Sequence, residues 1–173
     1  MADPDTTAHI AALYEELRAL AERRLARAAP HASLRATELV HEVWARFAHQ
    51  GSGGWESQAE FFFAAARAMQ NILVEHARKR RALKRGGDWM QVSLNVAEAP
   101  DDDLGDEVLA VNDALEKLAA ESPETARLVS LRYFAGLTMP EVADVLGVSL
   151  TTAERRWRFA RAWLKRAMEG DPG

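Results

Sequence analysis

The sequence predicts an all-α fold made of two small helical domains, one over residues 1–87 and one over 107–173, with an acidic flexible linker at 88–106 between them. Three observations point there. Apolar residues recur at steps of three and four through most of the chain, which is the period of a helix with one buried face. The composition favours Ala, Leu, Arg and Glu, all good helix formers. Glycine, proline, serine and threonine gather where the periodic stretches begin and end. A chain of 173 residues has room for one mid-sized domain or two small ones.

Taken in order, the first helix runs from Thr7 to Ala29, with Ile10, Leu13, Leu17 and Leu20 on one face, and closes near Pro30. The second starts near Ser33 or Arg35 and continues through "ATELVHEVWARFAHQ", with Leu39, Val43, Trp44 and Phe47 as its apolar face. Gly51, Gly53 and Gly54 in "GSGGW" break the pattern as a turn. A long third helix is expected from about Ser57 to Arg85, apolar and aromatic in "AEFFFAAARAMQNILVEHA", cationic in "RKRRALKR", and ended by Gly86 and Gly87. Gly86 to Asp103 holds turn formers, acids and one short alternation, "WMQVSLNV", and is assigned no regular structure.

Helical spacing resumes in "DEVLAVNDALEKLAA", where Val108, Val111, Leu115 and Leu118 align. Ser122 and Pro123 supply an N-cap and a first-turn proline for "ETARLVSLRYFAG", which Gly136 closes. Thr138 and Glu141 stand three apart as a capping box for "MPEVADVL", and Gly147 with Ser149 provides a turn and a new N-cap.

The last helix, within "VSLTTAERRWRFARAWLKRAM", separates into faces. Leu150, Ala153, Trp157, Ala160, Leu164 and Ala167 mark a buried stripe, while Arg155, Arg156, Arg158, Arg161, Lys165 and Arg166 stand against the single acid Glu154. The helix macrodipole accounts for Lys165 and Arg166 near the C-terminus, but it disfavours cations such as Arg155 and Arg156 in the first turns. An anionic partner accounts for those two. The net charge of −4 does not oppose this, because cations collect in Ala77 to Gly87 and in the last helix, and acids in "EAPDDDLGDE" between them.

Two short helices joined through "LGVS", the second basic and opening on small polar residues, have the sequence form of a helix-turn-helix. Val142, Ala143, Leu146, Val148, Trp157 and Leu164 are its expected core. Thr151, Thr152, Arg155 and Arg156 take the leading positions, where threonine and arginine meet base edges in a major groove. Arg158 and Arg161 lie further along, suited to phosphates.

"LRYFAGLTMPEVADVLGVSLTTAERRWRFARAWLKRAM" resembles the promoter-recognition domain of the extracytoplasmic-function (ECF) type of alternative bacterial sigma factor, of the sigma-70 family. "LYEELRALAERRL", "TELVHEVWARFA" and "FFFAAARAMQNILVEHARKRRALKRGG" resemble that family's N-terminal domain in the same order, so the resemblance covers almost the whole chain. It implies a protein that binds core RNA polymerase and directs it to promoters. The first domain would dock on polymerase and melt the minus-ten element; the second would recognise the minus-thirty-five element.

The resemblance assigns polymerase contact to the second helix, with Leu39, Val40, Glu42, Val43 and Arg46 as candidates; internal packing is the competing role for the inward-facing residues among them. It assigns the minus-ten element to the third helix. Holding unpaired bases needs a stacking surface beside cations, and Trp55, Phe61, Arg67, Asn71, Arg78, Lys79 and Arg81 are the candidates. "LRATELVHEVW" has only Glu38 and Glu42 as acids, beside Arg35 and His41, where many family members carry several. Phosphorylation of Thr37 or Ser33 would restore negative charge at this surface and strengthen docking to a basic partner.

Other classes find little support. The chain has no cysteine, which excludes disulfides and thiolate metal sites. His49 follows His41 by eight residues rather than four, and "ELVH" has no second copy, so zinc-protease and di-iron patterns are incomplete. No cofactor is expected. No export signal or long apolar run is visible, so a cytoplasmic protein is expected. The expected partners are core RNA polymerase and double-stranded and locally melted promoter DNA, with an anti-sigma factor or a Ser/Thr kinase as controlling partner and no membrane. The rival reading is a stand-alone helix-turn-helix transcriptional regulator.

Overall fold

The computed structural model describes residues 4–26, 35–49, 55–85 and 103–170. Within them the regular structure is helical, as α1 (Pro4–Leu25), α2 (Ala36–His49), α3 (Gln58–Arg85), α4 (Asp103–Glu121), α5 (Pro123–Val129), α6 (Met139–Leu146) and α7 (Leu150–Glu169). A single π turn, Ser130–Phe134, continues α5. The expected closure at Pro30, the glycine break at Gly51, Gly53 and Gly54, the stop at Gly86 and Gly87, the linker up to residue 102 and the Ser33 site lie outside the described residues. No described helix is long and apolar enough to cross a membrane.

The first three helices pack on one another as the periodicity requires. Leu17 and Leu20 of α1, Leu39, Val40 and Val43 of α2, and Phe61, Met69 and Ile72 of α3 are sealed from solvent. Aromatic rings lock the end of this bundle: Phe47 meets Trp55 at 4.9 Å and Trp55 meets Phe61 at 5.1 Å, both edge-on, the geometry the ring quadrupoles favour.

The C-terminal helices gather around Leu118, Leu128, Leu131, Phe134, Leu137 and Val142, with Ala153, Ala160 and Leu164 of α7 closing the core. α4 starts at Asp103, inside the stretch expected to be linker. Ser122 does hold the N-cap position of α5 with Pro123 behind it, but it makes no capping bond; its hydroxyl donates to Thr125 Oγ1 at 2.8 Å. The expected single helix up to Gly136 is interrupted by the π turn, where Ala135 N–H reaches back to the Ser130 carbonyl at 3.2 Å.

The two halves are not held apart. α3 lies along α4 and the π turn, and the end of α1 meets the loop before α6. Gln70 of α3 donates to the buried Asn112 of α4 at 2.8 Å and accepts from Ser130 at 3.4 Å. Arg23 forks onto Glu141 with bonds of 2.8 and 3.3 Å. Arg24, 3 % exposed, stacks over the Tyr133 ring at 4.7 Å. Gly136, at φ 79°, lets the loop approach α1 so closely that a Cβ there would stand 3.2 Å from the Leu20 carbonyl oxygen and from Arg24 N.

Candidate nucleic-acid interface

α6 and α7 are set by local chemistry. Thr138 and Glu141 form both halves of the capping box: Thr138 N–H donates to Glu141 Oε2 at 2.7 Å and Glu141 N–H to Thr138 Oγ1 at 3.4 Å. Gly147 ends α6 at φ 65°, a left-handed conformation that Gly adopts without strain. Ser149 then accepts Thr152 N–H at 3.1 Å as the N-cap of α7, which begins at the next residue, Leu150. The turn between the helices is therefore fixed by Gly147 and Ser149, and the start of α6 by Thr138 and Glu141.

That turn aims α7. Ala153, Ala160 and Leu164 point inward and are buried, which leaves Thr151, Arg155, Arg158, Arg161, Lys165 and Arg166 exposed. Four of the six candidates for the upstream element are thus on open surface. Thr152 is half-buried, and its hydroxyl oxygen accepts from Ser149 Oγ at 2.9 Å, so it is tied into the cap. Arg156 is turned to the flank that faces α5, where it pairs with Glu124 at 3.1 Å. Leu150, expected in the buried stripe, is 42 % exposed, because the first helical position precedes the turn that packs.

The minus-ten candidates divide. Arg67, Asn71, Arg78, Lys79 and Arg81 are all exposed on α3. At 100° per residue, Arg67, Asn71 and Arg78 fall on one narrow stripe, with Arg81 beside it and Lys79 a quarter-turn away. Arg78 and Arg81 also line a surface cleft of about 440 Å³ whose far wall is Leu109 and Asp113 of α4. Phe61 does not join them. It is 1 % exposed, enclosed by Phe47, Trp55 and Phe62, so a base cannot stack on it in this fold. Trp55 is half-buried, with one side engaged by Phe47 and Phe61.

Polymerase-docking candidates need a similar correction. Leu39, Val40 and Val43 have no exposed surface, because α2 is packed between α1 and α3 and buries one broad face on both. Glu42 and Arg46 remain partly exposed and reach across to α3: Glu42 Oε1 lies 3.0 Å from His76 Nε2, and Arg46 donates to Glu75 at 2.7 Å. The open face of α2 consists of Thr37, Glu38, His41, Ala45, Ala48 and His49. Only Thr37 had been singled out as a site. The helical wheel of Ala36 to His49 holds the signal for the rest, since these positions fall opposite Leu39, Val43 and Phe47.

Two titratable groups are displaced. Burial pushes the Tyr133 hydroxyl up, and its hydrogen bond to Glu107 at 2.7 Å adds to this, with Arg24 opposing. Burial also works to raise Glu141, but hydrogen bonds from the Arg23 guanidinium and from Thr138 outweigh it, and the carboxyl is held below its ordinary range. Both groups sit where the N- and C-terminal halves touch, and Tyr133 also borders a surface cleft lined by Arg158, Arg161 and Lys165 of α7.

A family model described as "ECF sigma factor" matches residues 2–170. The chain is also similar to a solved structure, the co-crystal structure of the sigma factor RpoE in complex with the anti-sigma factor NepR from Bartonella quintana. The sequences are 21 % identical over 98 % of this chain and 99 % of that one, with a TM-score of 0.42. No curated protein matches. With a family model spanning nearly all of it, and a capped helix-turn-helix where the resemblance places promoter recognition, the chain belongs to the ECF sigma factor family.

Proposed function

We propose that this chain binds core RNA polymerase and directs it to two-element promoters as an alternative sigma factor. The observation that carries the reading is α7, whose buried side is apolar and whose open side is cationic from its first turns onward. Thr151 and Arg155 are the leading groups for base edges of the upstream element, and Arg158 and Arg161 contact phosphates. Thr152 and Arg156 act mainly through the cap and through Glu124.

On α3 the stripe Arg67, Asn71 and Arg78, with Arg81 and Lys79 to either side, follows the backbone of the melted minus-ten strand, and Trp55 offers its open side to an unpaired base. Polymerase meets the open face of α2, with Glu42 and Arg46 at its margin. Leu39, Val40 and Val43 support that face from within the core. Thr37 is exposed in the first turn of α2, where the helix dipole favours added negative charge. A Ser/Thr kinase acting there, or an anti-sigma factor such as the one bound by the Bartonella protein, is the proposed control.

The test is co-elution of the purified chain with bacterial core polymerase on a sizing column, with a charge-reversal variant of the α2 face (Glu38→Lys with Glu42→Lys) as control. Co-elution that the variant abolishes supports the reading. A chain that stays free where a known sigma factor binds, before and after kinase treatment, would make it a stand-alone DNA-binding regulator instead.

A further inference from the structure

Phe159 has no structural reason to be where it is. It belongs to α7, yet 52 % of its surface is open to solvent, and the packing stripe of that helix runs through Ala153, Ala160 and Leu164 on another side. A helical turn before it stands Arg155 and two turns before it Thr151, so the three form one row along the exposed side. Arg158 adjoins it in sequence and Arg166 lies two turns beyond, both exposed.

An exposed aromatic ring with arginines on its side of the helix suits one kind of surface: an anion that also offers apolar groups. An apolar protein groove would leave those guanidinium groups facing carbon, at a large desolvation cost. Duplex DNA meets both demands, because phosphates border the major groove and each thymine projects a 5-methyl group into it, to which phenylalanine makes apolar contact. Arginine alone reads guanine; a ring one turn further along the same row reaches a neighbouring base pair, about 6 Å away along the helix.

We propose that Phe159 is a sequence-reading residue that packs on the 5-methyl group of a thymine next to the base pair met by Arg155. This rests on the reading of α7 as the promoter-contacting helix. It adds a methyl-dependent term to what the arginines supply by charge and hydrogen bonding. Because Phe159 packs against little of the protein, its loss leaves the fold intact.

The experiment uses the full-length chain with core polymerase present, captured through the chain, to select duplexes from a random pool. The best duplex is remade with deoxyuridine for each thymine in turn, which removes the methyl and nothing else, and affinities are read by fluorescence anisotropy at fixed salt. The expected result is one or two positions where deoxyuridine weakens wild-type binding about three- to fivefold, the scale of one buried methyl. Phe159→Ala should bind the methylated and unmethylated duplexes alike at those positions, with Phe159→Leu in between. Arg158→Ala should weaken every duplex and keep the methyl dependence. A wild type indifferent to every deoxyuridine, or a Phe159→Ala variant with the same methyl-dependent positions, overturns the proposal while leaving α7 as the reading helix. Selection that returns no preferred sequence overturns both.

Discussion

α3 and α7 are both long amphipathic helices with a cationic side, yet they treat their aromatic residues in opposite ways. In α3 the ring of Phe61 is shut inside a cage of other rings, while in α7 that of Phe159 stands in solvent among arginines. The difference follows from how the neighbours are arranged around each helix. α3 is flanked by α2, α4 and the π turn, so most of its circumference is interior and rings are drawn in. α7 packs on α4, α5 and α6 along one side and leaves the other open. An aromatic residue in a cationic helix therefore indicates nucleic acid only where the helix has a free side.

The largest effect expected from that comparison is on stability. Phe61→Ala should lower the unfolding free energy by about 3–5 kcal/mol, the usual cost of emptying a buried aromatic site, measured by urea denaturation. Phe159→Ala should change it by less than about 0.5 kcal/mol. A Phe61→Ala variant of full stability that failed to open promoters would reverse the assignment and return Phe61 to the DNA.

Next in size is the contrast between two adjacent arginines. Arg155→Ala should cost about 1–3 kcal/mol at a single base pair of the upstream element and relax the preference there, measured against a panel of point-changed duplexes. Arg156→Ala should cost less and cost it evenly, because its guanidinium is engaged with Glu124 and faces away from the open side. Equal, sequence-specific losses for the two would mean that α7 rotates on binding and breaks that ion pair.

The helix-turn-helix was legible because its signals are local. Thr138, Glu141, Gly147 and Ser149 each act within four residues, and the geometry of a cap depends on little else. Phase within a helix was harder. Val40 was read as an outward contact and is fully buried, since α2 sits between two helices and its apolar face is wider than one stripe. Phe61 misled for the same reason. The contact between halves was illegible: Arg23 and Glu141 are separated by 118 residues, and no periodicity links them. The π turn likewise leaves no mark in "SLRYF", because an extra residue in a helical turn changes the hydrogen bonding and not the composition.

A smaller effect is expected at the start of α6, where the N-cap also belongs to the inter-half contact. Thr138→Ala should cost about 1 kcal/mol of stability, the typical loss for an N-cap. Glu141 adds a pH dependence whose sign is fixed by its lowered folded-state pKa. The contribution is fully present above the unfolded-state value of an ordinary glutamate and is lost as pH falls through the lower, folded-state value. Glu141→Gln should accordingly lose most relative to wild type near neutral pH, with the gap closing under acid. A gap that widened on acidification would show that the carboxyl is not held ionised by Arg23 and the cap.

The smallest stability effect belongs to Thr37, and that is what makes it informative. Its side chain is exposed, and Glu38 already occupies the backbone N–H of Arg35 at 3.1 Å, so Thr37 carries no cap of its own. Thr37→Ala should leave stability within about 0.5 kcal/mol, and Thr37→Asp should gain only a few tenths from the dipole of α2. Any large change in polymerase affinity between these two variants, read by co-elution or anisotropy, must then come from the docking surface rather than from the fold. Phosphorylated Thr37 should extend the same trend, since its charge approaches −2 where aspartate offers −1. Alanine, aspartate and phosphothreonine forms that bind polymerase equally would remove charge at the start of α2 as a control point.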